Sequence, residues 1–590
     1  MPEVPRSPLQ PDPEAVLAGE AHRALPGFPA GLGAVHPQSA AAVLLALVGV
    51  AAGIVFAWAL GALPVGLYSA DYQFLSEGAA RVALGQVPHA DFPSPLGPLS
   101  FWLLWLARKL PGLGPDAFAV NTLAWVLVAL PVTAVAARLR TLPQAALLVG
   151  LAALLTVAPF TLEAIADACD VNYNGAYNRS GAALLLTTFV AGMVPPRSSR
   201  AEAPILAWIL AVLFLLKVTF FLAALAFLCV AAVFSAERRR ALAGALVLLA
   251  VAALGLEAAT GLPSAYMRDM AVMARLGGGD MLPRLWSTIA TYPLALSLAG
   301  ALVAALAWQG AARPSGAGDG RLGRLRAFEA PVLGAACMAL TVWSESQSTG
   351  SAGLVALAAL LFIPALDRHR SHARIAIAAG LLVATAGVFA EQALRRGRCV
   401  LADAPQWQSH PALDAAAPGF RASPSRLTAA EIVASLWRDH RAFADTAYRG
   451  GYSFGLDAYG APVAFAASAI LVFEAVARLR ELGLDRGLRH VTSITTHDEF
   501  TPALGLEPAK GLTGVLDPLR SLGPLTGTQA AAYLRPADAV FERTCALAPW
   551  NRWLVDVFRP ALVDFDPVVL TPCWTVHVRR SPGSGDASRR

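Results

Sequence analysis

Apolar runs of ~18 residues or more recur along the first two thirds of the chain, and each is long enough to carry a helix across a bilayer. They lie near 39–63, 116–137, 142–160, 180–195, 204–217, 218–235, 241–260, 286–308, 329–346, 352–366 and 374–393, which predicts about eleven spans. The stretch from Pro204 to Ser235 is too long for one crossing and short for two. Dividing it at Lys217 puts the ammonium at a membrane surface rather than in hydrocarbon. Only 15% of the 590 residues are charged, against about 25% in soluble domains. The net charge of +6 is scattered over short loops, which gives a nucleic acid nothing to bind.

Residues 1–37 are polar and proline-rich, and the run from Ala40 to Leu63 exceeds a signal peptide's core of ~7–15 residues. We read the first as a cytoplasmic segment and the second as an uncleaved anchor. Arg138, Arg140, Arg197, Arg200, Arg238, Arg239 and Arg240 then fall on the side of the N-terminus, as the positive-inside rule expects. An odd span count leaves the C-terminal tail outside, although Arg395, Arg396 and Arg398 run against the rule there. The expected location is multi-pass in a bacterial inner membrane, with the tail in the periplasm. The expected domains are a membrane domain over 38–393 with its first outer loop at 64–115, a linker at 394–428, and a soluble α/β domain at 429–590. Within the tail, 461–484 predicts a buried amphipathic helix rather than a span, "RHVTSITT" a strand, and "PALVDFDPVVLTPCWTVHVRR" two strands around a turn. Cys545 and Cys573 could be bridged in an oxidising compartment or be small buried side chains. "THDEF" sets His497, Asp498 and Glu499 in a row, which reads as surface polarity rather than a metal site.

The most structured loop follows the first run: "SADYQFLSEGAARVALGQVPHADFPSPLGPL". Phe74/Leu75, Gly78/Ala79 and Val82/Ala83 repeat every four residues and build one apolar face, with Gln73, Glu77 and Arg81 opposite. Glu77 and Arg81 are spaced as an i,i+4 ion pair, so a short interfacial helix is predicted, capped by Ser69 or Asp71. Beyond capping, a carboxylate at the end of a first span can face a cavity between helices and take a proton from a substrate hydroxyl.

An acid just after the first span, the interfacial helix, "GQVPHADF" and then "PLGPLSFWLLWLARKLPGLGPDAF" resemble the first outer loop of polytopic C-type glycosyltransferases. The likeness is to bacterial relatives of protein O-mannosyltransferases and of the lipid A aminoarabinose transferase, and covers about residues 39–140. It implies a polytopic α-helical membrane protein of the C-type glycosyltransferase fold that uses a polyprenyl-phosphate sugar donor. It also implies Asp71 as the catalytic or acceptor-orienting residue and His89 and Asp91 as substrate-binding. Tyr72 stands where many relatives carry a second acid, a departure that counts against a metal at that spot.

The other candidates lie in later loops. "TLEAIADACDVNYNGAYNRSG" offers Glu163, Asp170, Asn172 and Tyr173, acids, amides and aromatics suited to gripping a sugar. Lys217 could meet a phosphate leaving group, as could Arg268 and Arg275, which sit seven apart on one side of a helix. Glu345 and Gln347 fall in a polar turn between two spans. No residue set specifies a metal, and a divalent cation is the one cofactor that the acids leave open. The expected partners are the lipid-linked donor, membrane lipids, and a glycan, lipid or protein acceptor. A lipid or glycan transporter is the rival reading, disfavoured because the sequence shows no convincing internal repeat. An inactive relative kept as an assembly partner is the other.

Overall fold

The computed structural model describes residues 37–66, 69–110, 112–139, 142–157, 169, 171, 173, 175–194, 196, 198–277, 281–311, 328–347, 394–395, 397–449, 463–517, 525–545 and 549–580. The first half is helical. Helix α1 (Pro37–Leu60) is followed by strand β1 (Leu63–Pro64), the loop helices α2 (Ser69–Ala83) and α3 (Leu99–Lys109), then α4 (Asp116–Ala136) and α5 (Leu142–Val157). Next come α6 (Gly175–Met193), α7 (Ser199–Leu216), α8 (Val218–Val233), α9 (Ala236–Thr260), α10 (Leu262–Gly277), α11 (Met281–Thr291), α12 (Pro293–Ala311) and α13 (Glu329–Ser346). Among the described residues four segments are long and apolar enough to cross a membrane: Ala40–Leu60, Asp116–Ala136, Ser199–Leu216 and Ala236–Thr260. Gln144–Val157 and Val218–Val233 are shorter apolar helices. The run expected at 286–308 is instead broken before Pro293, which cannot donate to the preceding turn. The runs expected at 352–366 and 374–393 lie outside the described residues.

The division at Lys217 is found. Its backbone is extended (φ −165°, ψ 118°) between α7 and α8. Leu206 near the start of α7 and Leu228 and Ala231 near the end of α8 line one small cavity, so the two helices run antiparallel and Lys217 is the apex of a hairpin. At the opposite end two arginines hold the C-terminus of α6. Arg138 bonds the Val194 carbonyl at 3.0 Å and pairs with Glu202, while Arg238 bonds the Met193 carbonyl at 3.2 Å and pairs with Glu329 at 2.5 Å. Cations there complement the helix dipole and its orphan carbonyls.

The tail adds α14 (Pro411–Ala416), β2 (Phe420–Arg421), α15 (Pro424–Asp439), α16 (Arg441–Arg449), α17 (Ala464–Glu481), β3 (Val491–Ile494), α18 (Phe500–Leu504), α19 (Gly527–Leu534), β4 (Ala539–Arg543), α20 (Pro549–Phe558), β5 (Phe565–Thr571) and β6 (Trp574–Arg579). Strand order is β3-β4-β6-β5, with β3 parallel to β4 and the other pairs antiparallel. Helix α17 is buried along one face, and β5 and β6 form the expected hairpin, its turn stapled by the Cys545–Cys573 disulfide.

The stretch expected to be a linker, 394–428, carries α14, β2 and the start of α15. Strand β2 pairs in parallel with β1 at the end of the first helix, and Cys399 is bonded to Cys169. One apolar core runs from Ala57, Leu60 and Tyr72 through Phe420 to Trp437, Phe465 and Trp574. The tail is therefore packed onto the helical part and not merely tethered to it.

Candidate active site

Helix α2 forms where its four-residue repeat predicts, but Ser69 already belongs to it, so Asp71 stands inside the first turn and does not cap the helix. Asp71 is only 6% exposed. Two expectations for this helix are corrected. Gln73 and Arg81, read as lying opposite the apolar face, are buried, and the tail segment at 508–509 lies over Arg81. Arg81 pairs with Glu77 at 2.5 Å and donates to the Ala509 carbonyl at 2.6 Å, and Gln86 donates to the Pro508 carbonyl at 3.1 Å. Likewise His497, Asp498 and Glu499, read as surface residues, are buried beside this contact, and Glu499 pairs with Arg543 at 2.7 Å.

Next to Asp71, Tyr72 donates its phenol to Asp116 at the start of α4 (2.9 Å to each oxygen), and Arg108 pairs with the same carboxylate at 2.8 Å. Burial, then the Asp116 charge, pushes the phenol up, so it remains a donor. Tyr72 also lines a cavity of about 30 Å³ with Leu75, Leu104, Tyr173, Tyr177 and Leu216. Leu75 is one turn after Asp71 on the same face of α2. Tyr173 is held by a hydrogen bond to the Pro64 carbonyl at 3.0 Å.

On the far wall of that cavity is the Lys217 hairpin. The Lys217 Nζ donates to Asn178 Oδ1 at 3.0 Å and to the Gln347 carbonyl at 2.6 Å, and lies 5.4 Å from the centre of the Tyr177 ring. The end of α13 brings Glu345, 6% exposed, beside Gln347. Asp71, Tyr173, Lys217, Glu345 and Gln347 thus gather at the tail-side end of the helices. Glu163, Asp170 and Asn172 lie outside the described residues.

Three candidates are placed elsewhere. Arg268 and Arg275 are exposed, two and nine residues after the buried Tyr266, hence on the opposite face of α10. Asp91 closes its own loop by accepting from the Val87 amide at 2.8 Å and pairs with Lys510 of the tail at 2.6 Å. Burial raises that carboxyl, but the Lys510 and Val87 bonds outweigh it and hold it below its ordinary range. His89 does reach the cluster: its ring lies 4.5 Å from Tyr266, whose hydroxyl accepts from the Val218 amide at 3.2 Å. Its partner Asp269, bonded at 2.7 Å, was missed from sequence, as were Tyr266 and Asn178. Each is a single polar residue in a helical run, and only the third dimension pairs it. Among the described residues no group of three or more His, Cys, Asp or Glu is placed to hold a metal ion.

No protein-family model and no curated protein matches the sequence. Among solved structures, the chain is similar to ArnT from Cupriavidus metallidurans bound to undecaprenyl phosphate, at 15% identity over 92% of this chain and 98% of that one, with a TM-score of 0.42. It is also similar to the apo state of the same protein, at 14% identity over 91% and 97%, with a TM-score of 0.37.

Proposed function

We propose that the protein is a membrane glycosyltransferase that takes a sugar from a polyprenyl-phosphate donor and passes it to a lipid, polysaccharide or protein acceptor. The observation that carries this reading is that the helix of the buried Asp71 and the hairpin of the half-buried Lys217 border one cavity, through Tyr72 and Leu216. In this reading Asp71 takes or orients the proton of the acceptor hydroxyl as its oxygen attacks the anomeric carbon. Lys217 stabilises the departing phosphate, so that one displacement inverts the anomeric centre. At about 30 Å³ the cavity holds little more than a water, so admitting a sugar requires the surrounding helices to part. The two disulfides support a tail and second loop on the oxidising side, which agrees with a cytoplasmic N-terminus and a periplasmic site in a bacterial inner membrane.

The test is reconstitution in proteoliposomes with radiolabelled polyprenyl-phosphate sugars and extracted envelope acceptors. Transfer is expected from the unaltered chain, and a loss on the order of 10²- to 10⁴-fold in Asp71→Asn, with unchanged folding because the two side chains are isosteric. Full activity in that variant would return Asp71 to structural duty. Movement of the labelled lipid between leaflets with no consumption of donor would instead make the protein a transporter.

A further inference from the structure

The start of α3 bridges the two sides of the candidate site. Gly97, just before it, lies directly on the backbone at the end of α7, beside the Lys217 hairpin. Phe101 packs edge-to-face on Phe74 of α2, the helix of Asp71, with ring centres 5.4 Å apart. Ser100 stands between these two contacts. It is 6% exposed and lines the cavity together with Tyr72, Tyr173, Tyr177 and Leu216. Its Oγ has no hydrogen-bond partner among the described residues.

Elsewhere the protein occupies such hydroxyls. On α6 and α13, Thr187, Thr188 and Thr341 each donate to the carbonyl four residues back, at 2.7, 2.8 and 2.7 Å. On the wall of the cavity itself, Tyr72 donates to Asp116, Tyr173 to the Pro64 carbonyl and Ser180 to the Ala176 carbonyl. Thr122, Thr156 and Thr219 also lack a partner, but none of them lines this cavity. An unmet buried hydroxyl costs stability, and on the wall of a cavity the missing partner is one that a ligand can bring.

The surroundings define that ligand. The Tyr72 and Tyr173 rings lie 5.5 Å apart, and with both phenols engaged they present apolar surface, which suits the C–H face of a sugar ring. A hydrocarbon chain in the same place would leave the Ser100 Oγ unmet. An alcohol would not, because a serine both donates and accepts. We infer that Ser100 hydrogen-bonds one ring hydroxyl of the transferred sugar and so selects among donors. This rests on the transfer reading above and concerns which sugars that site takes.

The experiment uses radiolabelled undecaprenyl phosphate esters of hexoses and pentoses in proteoliposomes. The donor consumed fastest by the unaltered chain is compared with its monodeoxy derivatives, in that chain and in Ser100→Ala. For the unaltered chain, kcat/KM is expected to be about 10-fold lower with one of the derivatives, as for a lost neutral hydrogen bond. Ser100→Ala should lose about 10-fold on the parent donor and nothing more on that derivative. Without substrate, its thermal midpoint should equal or exceed that of the unaltered protein, because an unmet hydroxyl has been removed. A lower midpoint would mean that the hydroxyl is engaged inside the protein. A loss shared equally by the parent and every derivative, or no loss at all, would mean that Ser100 does not touch the sugar; each of these results overturns the inference. If the unaltered chain consumes no donor, the transfer reading itself fails and this inference falls with it.

Discussion

At the residue scale, Tyr72 and Lys217 show two ways in which a polar side chain is kept inside this protein. Tyr72 is satisfied by Asp116 and by Arg108, which also donates to the Ser76 hydroxyl at 2.7 Å. That set ties α2 to α3 and α4. Tyr72→Phe leaves Asp116 with Arg108, so it should cost only about 0.5–1.5 kcal/mol, read as a lower thermal midpoint, and change turnover by no more than a few-fold. Lys217 is satisfied by Asn178 and the Gln347 carbonyl. Lys217→Met keeps the length of the side chain and removes the charge. The expected loss in kcat/KM is on the order of 10²- to 10³-fold in steady-state transfer assays, and an unaltered value would remove Lys217 from the chemistry.

At the scale of elements, close backbone approach decides where the site stands. A side chain at Gly97 would place its Cβ 2.3 Å from the Leu215 carbonyl oxygen and 2.4 Å from that of Leu216, so the return of the first outer loop lies directly on the end of α7. Because both obstacles are backbone, Gly97→Ala must push the loop off the Lys217 hairpin. The expected result is an inserted protein with lost transfer, checked by parallel assays of folding and activity; normal transfer would mean that the hairpin gives way freely. Much at this scale was legible in the sequence. Apolar runs and a four-residue repeat are local signals, so the helices around 116–137, 204–217 and 218–235, the break at Lys217 and α2 itself could be read directly. The Cys169–Cys399 bond, the β1–β2 pairing and the His89–Asp269 pair join residues about 180 to 360 positions apart. No local pattern specifies such partners. The buried state of Gln73 and Arg81 was misread for the same reason: a polar face looks solvated until the element that covers it is known.

At the scale of the molecule, the tail clasps the helix that carries Asp71, and two adjacent buried groups at that clasp give it opposite responses to pH. Burial, and then the charge of Glu77 on α2, pushes the Asp498 carboxyl from 3.8 up to about 6. Burial, and then Arg543, pushes the neighbouring His497 from 6.5 down to about 4. The raised carboxyl favours folding most below about 4 and loses that contribution as the pH climbs to about 6. The depressed histidine does the reverse: its contribution is complete above 6.5 and is lost as the pH falls to about 4. Over the shared window the two slopes oppose, so this pair leaves the docked tail nearly indifferent to mild acid. Asp498→Asn removes only the carboxyl's slope. Its Oδ1 can still accept from the Phe500 amide and the Ser493 hydroxyl, so the contact geometry is retained. Relative to the unaltered protein, the variant should gain on the order of 2 kcal/mol between about pH 4 and 6, and its own stability should then fall steeply on acidification. The measurement is the thermal midpoint of both proteins across that range, in which every group they share cancels in the difference. A difference that does not vary with pH would mean that Asp498 is ionised in the docked state throughout, and the compensation between carboxyl and imidazole would not exist.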